Sequence, residues 1–285
     1  GHLIPGKSER ADGHYDLVTT PEALAREQQI LDRLDAGAGQ GRAFMAPDLA
    51  MARLQEAARE LGLERAGVDS WQLNEGQLAA GVAILSGTDR FLNIQGVAGA
   101  GKSTLLGALD KVLGAEGVKL IGLAFQNKMV ADLRGGASGT MSVEQMKEAG
   151  IEARTIASFI NKHGSAAAQG SGERFEASRA ALRDTVIITD ESSMVSSRDM
   201  LRLTAIAEQL DVAKAPFMGD RQQLSAIEQG KMFAVSQAAG QATVRMDENI
   251  RQRNSPLLLA VAGLSNEGHA SLALDLLAAH GRVIE

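Results

Sequence analysis

Residues 96–103 read Gly-Val-Ala-Gly-Ala-Gly-Lys-Ser, an order suited to holding an anion. Gly96, Gly99 and Gly101 free the backbone to turn its N–H groups inward. Lys102 adds a full positive charge at the end of the loop, and Ser103 adds a hydroxyl able to bind a hard cation. The string Gly96-Val97-Ala98-Gly99-Ala100-Gly101-Lys102-Ser103 satisfies G-x-x-x-x-G-K-[ST] in full, with Thr104 following it. That pattern cradles nucleotide phosphates. In this reading Lys102 reaches the β- and γ-phosphates of ATP and Ser103 holds Mg²⁺. The plainer alternative is a Gly-rich turn that happens to carry Lys-Ser.

A phosphate loop needs an acidic partner. Val186-Ile187-Ile188-Thr189 is an apolar run that ends in Asp190-Glu191, and strand ends are where α/β proteins place their ligands. Asp190 is expected to hold Mg²⁺ directly or through water, and Glu191 to orient and polarise the attacking water. An ordinary strand ending in a solvated acidic pair is the alternative, and the complete phosphate loop weighs against it.

Positioning these groups takes strands and helices in alternation. The segment 91–95 reads as a strand entering the loop and 102–113 as the helix leaving it. Further apolar strands are expected at 118–124, 186–189 and 215–218. Strands separated by helices imply a parallel sheet covered on both faces, hence an α/β fold. Ahead of it, Thr20-Pro21-Glu22 starts a helix, with Thr20 as N-cap and Pro21 in the first turn. That helix runs to about Leu34 and stops at the Gly-rich stretch 36–41, and a second spans 47–61. The expected division is a small helical subdomain over 1–70, with a mobile polar leader over 1–20, and an α/β domain over 71–285. The segment 164–172, rich in Gly, Ser and Ala, reads as a flexible surface loop.

The 285 residues, 45% of them hydrophobic, suffice for a packed core, and no apolar run reaches the ~18–20 residues of a membrane span. The absence of cysteine excludes disulfides and thiolate metal sites and suits the cytoplasm. A net charge of -6 requires any nucleic-acid contact to come from a local basic groove, and 3% aromatic content limits base stacking to one or two side chains.

Four ordered strings resemble the motifs of superfamily 1 DNA helicases. Asp190-Glu191-Ser192-Ser193-Met194 resembles motif II, Gly219-Asp220-Arg221-Gln222-Gln223-Leu224 motif III, and Asn249-Ile250-Arg251-Gln252 motif IV. Leu73-Asn74-Glu75-Gly76-Gln77 is similar to the adenine-reading Q motif. The order is RecD-like. Thr19-Thr20-Pro21-Glu22-Ala23-Leu24 and Thr155-Ile156-Ala157-Ser158-Phe159 are similar to stretches of conjugative relaxase–helicases of the TraI/TraA/TrwC type. The resemblance implies a P-loop NTPase domain of the RecA-like kind, the first of two motor domains. It implies that Gln77 hydrogen-bonds adenine, that Gln223 senses the γ-phosphate and couples it to DNA, and that Arg251 contacts the γ-phosphate. An arginine there would stabilise spreading negative charge. Without the resemblance, Gln223 reads as an ordinary turn residue and Arg251 as part of a solvated basic cluster with Arg253.

The DNA-facing segment follows the second strand of the domain. Phe125 is expected to stack on a base, Asn127 and Lys128 to face the strand, and Thr155 and Ser158 to add hydroxyl contacts to its backbone. Phe125 reads equally as a core aromatic at a strand end. Ala124-Phe125-Gln126-Asn127-Lys128 departs from the A-P-T-x-x-A-A usual in RecD-like members, and 134–150 is longer than the family pattern. The five histidines have no metal-ligand spacing, so Tyr15 beside His14 reads as a surface residue and not as a strand-cutting nucleophile. After Arg251 two helix-like stretches follow, 256–264 and 270–279, without the family's motifs V and VI.

The expectation is therefore the ATP-binding half of a 5′-to-3′ single-strand DNA translocase from a relaxase that moves plasmid DNA. Its partners would be single-stranded DNA, a second RecA-like domain and secretion-channel components. The competing class is a helicase-like recognition module that docks the relaxase to a type IV secretion channel, or holds DNA, without hydrolysis. Intact Lys102, Ser103, Asp190 and Glu191 favour the enzyme.

Overall fold

The computed structural model of the chain describes residues 4–7, 16–96, 100–124, 152–220, 232–246 and 272. Val97, Ala98 and Gly99 of the phosphate loop lie outside these residues, as do Tyr15, Phe125, Asn127, Lys128, Gln223, Arg251, the segments 134–150 and 256–264, and nearly all of 270–279.

Where a polar leader was expected, β1 (Ile4–Lys7) and β2 (Asp16–Thr19) pair antiparallel, with Ile4 opposite Thr19. Leu17, Val18 and Thr19 supply the β-branched and apolar character that favours an extended chain. Three helices follow, α1 (Pro21–Ala36), α2 (Pro47–Ala66) and α3 (Glu75–Ser86). The Thr20 side chain accepts from the Ala23 backbone N–H at 3.1 Å and so caps α1, with Pro21 beside it.

The strands β3 (Asn93–Gly96), β4 (Lys119–Ala124), β5 (Glu152–Thr155), β6 (Thr185–Thr189), β7 (Phe217–Gly219) and β8 (Thr243–Met246) form one sheet in the order β5-β4-β6-β7-β3-β8. Every neighbouring pair is parallel. The connecting helices are α4 (Lys102–Ala115), α5 (Ile156–Gln169), α6 (Glu173–Leu182), α7 (Ser197–Gln209) and α8 (Met232–Ala238).

Because alternate strand residues face opposite sides, the sheet is apolar on both. Ile94, Leu120, Val186, Ile188 and Met218 face a core built with α2, α3 and α4. Ile121, Leu123, Ile187 and Phe217 face a second core built with α1, α5 and α7. Each fully buried Leu, Ile or Phe contributes about 1.5–3 kcal/mol of transfer free energy, so these two layers dominate the fold.

The same cores answer for residues 21–66. Ile30 and Leu34 of α1 belong to one layer, and Leu54, Ala58 and Leu61 of α2 to the other. The stretch expected as a loop from 164 is helical to Gln169 and turns only at Gly170, which has φ 66°. A Cβ on Gly164 would meet Ile160 at 3.6 Å and Ile206 at 4.0 Å, ordinary van der Waals distances, so the helix at this point has room for an alanine. Packing overrides the low helix propensity of glycine.

Asp110 sits half-buried on α4, and burial lifts its carboxyl from 3.8 to about 7, against the pull of Lys111 beside it. The folded chain therefore holds this proton more tightly than the unfolded one. That contribution is full below pH 3.8 and is lost as pH rises through about 7. Asp110→Asn is expected to raise Tm at pH 8 and to leave it nearly unchanged at pH 4. Equal shifts at the two pH values in thermal melts would remove the burial penalty from the account.

Candidate functional site

β3, β7 and β6 lie side by side, and all three end at the same edge of the sheet. β3 leads into the phosphate loop, whose described part runs from Gly96 and then from Ala100 through Thr104. Gly101 caps α4 with φ 75° and ψ 32°, a left-handed conformation that glycine adopts without steric cost. Lys102 and Ser103 open α4, whose positive end points out of the sheet edge.

The Lys102 ammonium is buried and has no hydrogen-bond partner among the described residues. It faces two carboxylates across short gaps, Glu191 Oε1 at 3.6 Å and Asp190 Oδ1 at 4.0 Å. Both carboxylates stand at the end of β6, where sequence reasoning placed them. The Asp190 backbone N–H donates to the Leu123 carbonyl at 2.8 Å, which ties the strand end to β4. Burial raises the Glu191 carboxyl above its ordinary range; Lys102 pulls it down, while Asp190 and Asp220 push it up.

Glu191 is itself in the left-handed region, at φ 50° and ψ 43°. That conformation costs roughly 1–2 kcal/mol for a residue with a Cβ. Local bonds hold it there. The Glu191 N–H donates to Asp190 Oδ1 at 2.8 Å, and the Ser192 hydroxyl donates to the Thr189 carbonyl at 2.8 Å. The Met194 N–H closes the turn onto the Glu191 carbonyl at 2.9 Å. From the other side the turn rests on Gly219 at the end of β7. A Cβ there would lie 3.0 Å from the Ser192 nitrogen and 3.1 Å from the Ser193 nitrogen, backbone atoms that cannot step aside.

Gln77, expected at adenine, is buried in the capping box of α3. Its Oε1 accepts from the Asn74 N–H at 2.9 Å and its Nε2 donates to the Gly101 carbonyl at 2.9 Å. The side chain is thus a strut from the cap of α3 to the phosphate loop. Thr155 caps α5, accepting from the Ser158 N–H at 3.1 Å, and stands in register with Ala124 on β4. Both hydroxyl residues lie at the same sheet edge as the charged site, beside the point where the chain leaves toward Phe125.

Two buried groups at the site were given no role from the sequence. Asp220, just past β7, accepts from Gln95 Nε2 at 2.9 Å. Gln95 stands one residue before Gly96. A sequence signal exists for it: Asn93 and Gln95 alternate with Leu92 and Ile94, placing amides where an interior parallel strand is expected to be apolar.

The turn stores strain at Glu191. Glu191→Gly should be more stable than Glu191→Ala by about 1 kcal/mol in chemical denaturation, because both lose the carboxylate beside Lys102 and only glycine adopts the left-handed turn without steric cost. Equal stabilities of the two variants would show that the turn is not strained.

The AAA domain family matches residues 72–285. The multifunctional conjugation protein TraI of Escherichia coli is 33% identical over 199 residues, which cover 68% of this chain and 10% of that protein. A probable conjugal transfer protein TraA of Sinorhizobium fredii is 30% identical over 234 residues, 81% of this chain and 19% of that protein. The chain therefore spans a fifth or less of these relatives. The Pif1 helicase of Bacteroides, solved with ADP-AlF3 and ssDNA, aligns over 72% of this chain and 49% of its own, at 19% identity and a TM-score of 0.46. With its phosphate loop inside the matched stretch, the chain belongs to the AAA domain family and is related to the conjugation proteins TraI and TraA.

Proposed function

We propose that this chain binds Mg²⁺-ATP at the Lys102–Asp190–Glu191 edge and is the ATP-binding half of a single-strand DNA translocase. The observation that carries this is the buried Lys102 ammonium. It has no hydrogen-bond partner among the described residues and faces two carboxylates at the mouth of a phosphate loop. A nucleotide phosphate fits that orphaned donor. Ser103 and Asp190 would hold Mg²⁺, whose remaining ligands come from phosphate and water in sites of this kind. When bound, the nucleotide supplies the phosphoryl group and the ion spreads its charge.

The chain's own groups then divide the work. Lys102 neutralises the terminal phosphates. Glu191, with its carboxyl held above the ordinary range by burial, orients a water and takes its proton. Gln223 and Arg251 are assigned to γ-phosphate sensing and charge stabilisation, and Gln77 to the adenine end and the phosphate loop together. On the kinship with conjugation proteins, the motor moves 5′-to-3′ in the cytoplasm during plasmid transfer. It pairs there with a second RecA-like domain and with secretion-channel components.

Mg²⁺-ADP is expected to raise Tm of the wild-type chain by linkage, and Lys102→Ala should largely abolish that shift while keeping the unliganded Tm within a few degrees. Equal shifts in the two proteins would sink the nucleotide assignment.

Single-stranded DNA is expected to bind weakly and with strong salt dependence. Phe125→Ala should weaken it at all salt concentrations, and Lys128→Ala should also flatten the salt slope by about one counterion. Fluorescence anisotropy with a labelled oligonucleotide measures both. Unchanged affinity in the pair would return Phe125 to a packing role.

A further inference from the structure

An inner strand of a parallel sheet is ordinarily apolar on both faces. β3 is not. Ile94 faces the core with α4, but Asn93 and Gln95 turn two buried amides to the other side. Each finds a partner on α8. Asn93 Nδ2 donates to the Ser236 hydroxyl at 3.1 Å, and Gln237 Nε2 donates to Gln95 Oε1 at 3.3 Å. Gln95 Nε2 in turn donates to Asp220 Oδ1 at 2.9 Å. The result is a chain of contacts from half-buried Gln237 to buried Gln95 and Asp220, crossing from α8 through the strand of the phosphate loop to the end of β7. Burying amides costs free energy unless they are paired, and an apolar pair of the same shape would serve packing equally well. What the amides add is direction.

That direction bears on the site. β7 lies between β3 and β6, so Asp220 stands between the phosphate loop and the Asp190–Glu191 turn. Its charge acts on Glu191. The chain that carries Gln223 leaves directly after it. Gly96, next to Gln95, starts the loop that ends in Lys102.

We propose that Gln95 is a positioning residue. By donating to Asp220 while accepting from Gln237, it fixes the end of β7 against the phosphate loop, so that the site distinguishes a nucleotide with a γ-phosphate from one without. The inference rests on the nucleotide reading above and adds to it a residue that touches no ligand.

The test compares wild type, Gln95→Leu, Asp220→Leu and the double variant. Affinities for Mg²⁺-ATPγS and Mg²⁺-ADP are measured by calorimetry, and unfolding is followed without nucleotide. Each single change leaves a buried polar group without this partner and lowers stability. The double leaves neither end of the Gln95–Asp220 bond facing a lost partner and recovers part of that loss, Gln237 Nε2 still lacking the Gln95 oxygen. The ratio of ATPγS to ADP affinity is expected to fall about tenfold in Gln95→Leu and to stay low in the double, the scale of one hydrogen bond to a charged group. A ratio restored together with stability would make the pair a packing feature only and overturn the proposal. Should a single variant fail to fold, the double and Gln95→Met carry the same comparison, and a wild-type ratio in both overturns it. A wild-type chain that binds neither nucleotide overturns the nucleotide reading itself, an outcome distinct from binding with an unmoved ratio.

Discussion

Everything at the sheet edge is organised around one buried positive charge. Removing an ammonium from water is expensive, and the protein recovers that cost only where opposite charge stands close by. Lys102 has Glu191 and Asp190 at 3.6 and 4.0 Å, distances that give attraction without closing a hydrogen bond. The carboxylates compete with each other as much as they serve the lysine, which is why burial and the neighbouring Asp190 and Asp220 raise Glu191 against the pull of Lys102. An arrangement of this kind is incomplete in its own terms, since the lysine's donors have no acceptor among the described residues and the acids crowd one another.

The backbone supports that arrangement at its weak points. The Glu191 turn is held by the Ser192 hydroxyl and by the bare backbone of Gly219, and Gly101 is held by Gln77 from a helix cap. Gly219 and Gln77 each fix a residue of a string other than their own. The strings that look separate along the chain are thus mechanically one object, with β3, β6 and β7 as its frame.

Much of this was legible because it depends on local chemistry. The phosphate loop, the apolar run ending in Asp190-Glu191 and the Thr20-Pro21 cap each carry their signal within a few residues, and the structure places them at the expected ends of elements. The short strands β5 and β8 were not legible, because Glu152-Ala153-Arg154-Thr155 and Thr243-Val244-Arg245-Met246 carry charge and lie at the two edges of the sheet, where apolar runs are not required. Gly164 misled because glycine signals a loop by propensity, whereas here it lies inside the helix Ile156–Gln169, which the apolar face toward α7 holds together. Asp220 was visible only as part of a string, since its bond to Gln95 spans 125 residues of sequence and belongs to the tertiary fold.

The family match begins at residue 72, yet the hydrophobic layers do not respect that border. α1 places Ile30 and Leu34 in the layer that holds Phe91, Ile187 and Phe217, while α2 places Leu54 and Leu61 in the layer behind the phosphate loop. A polypeptide begun at residue 72 would bare apolar surface on both sides of its sheet at once. The helices before residue 72 therefore act as a two-sided clamp, each closing one apolar face of the sheet.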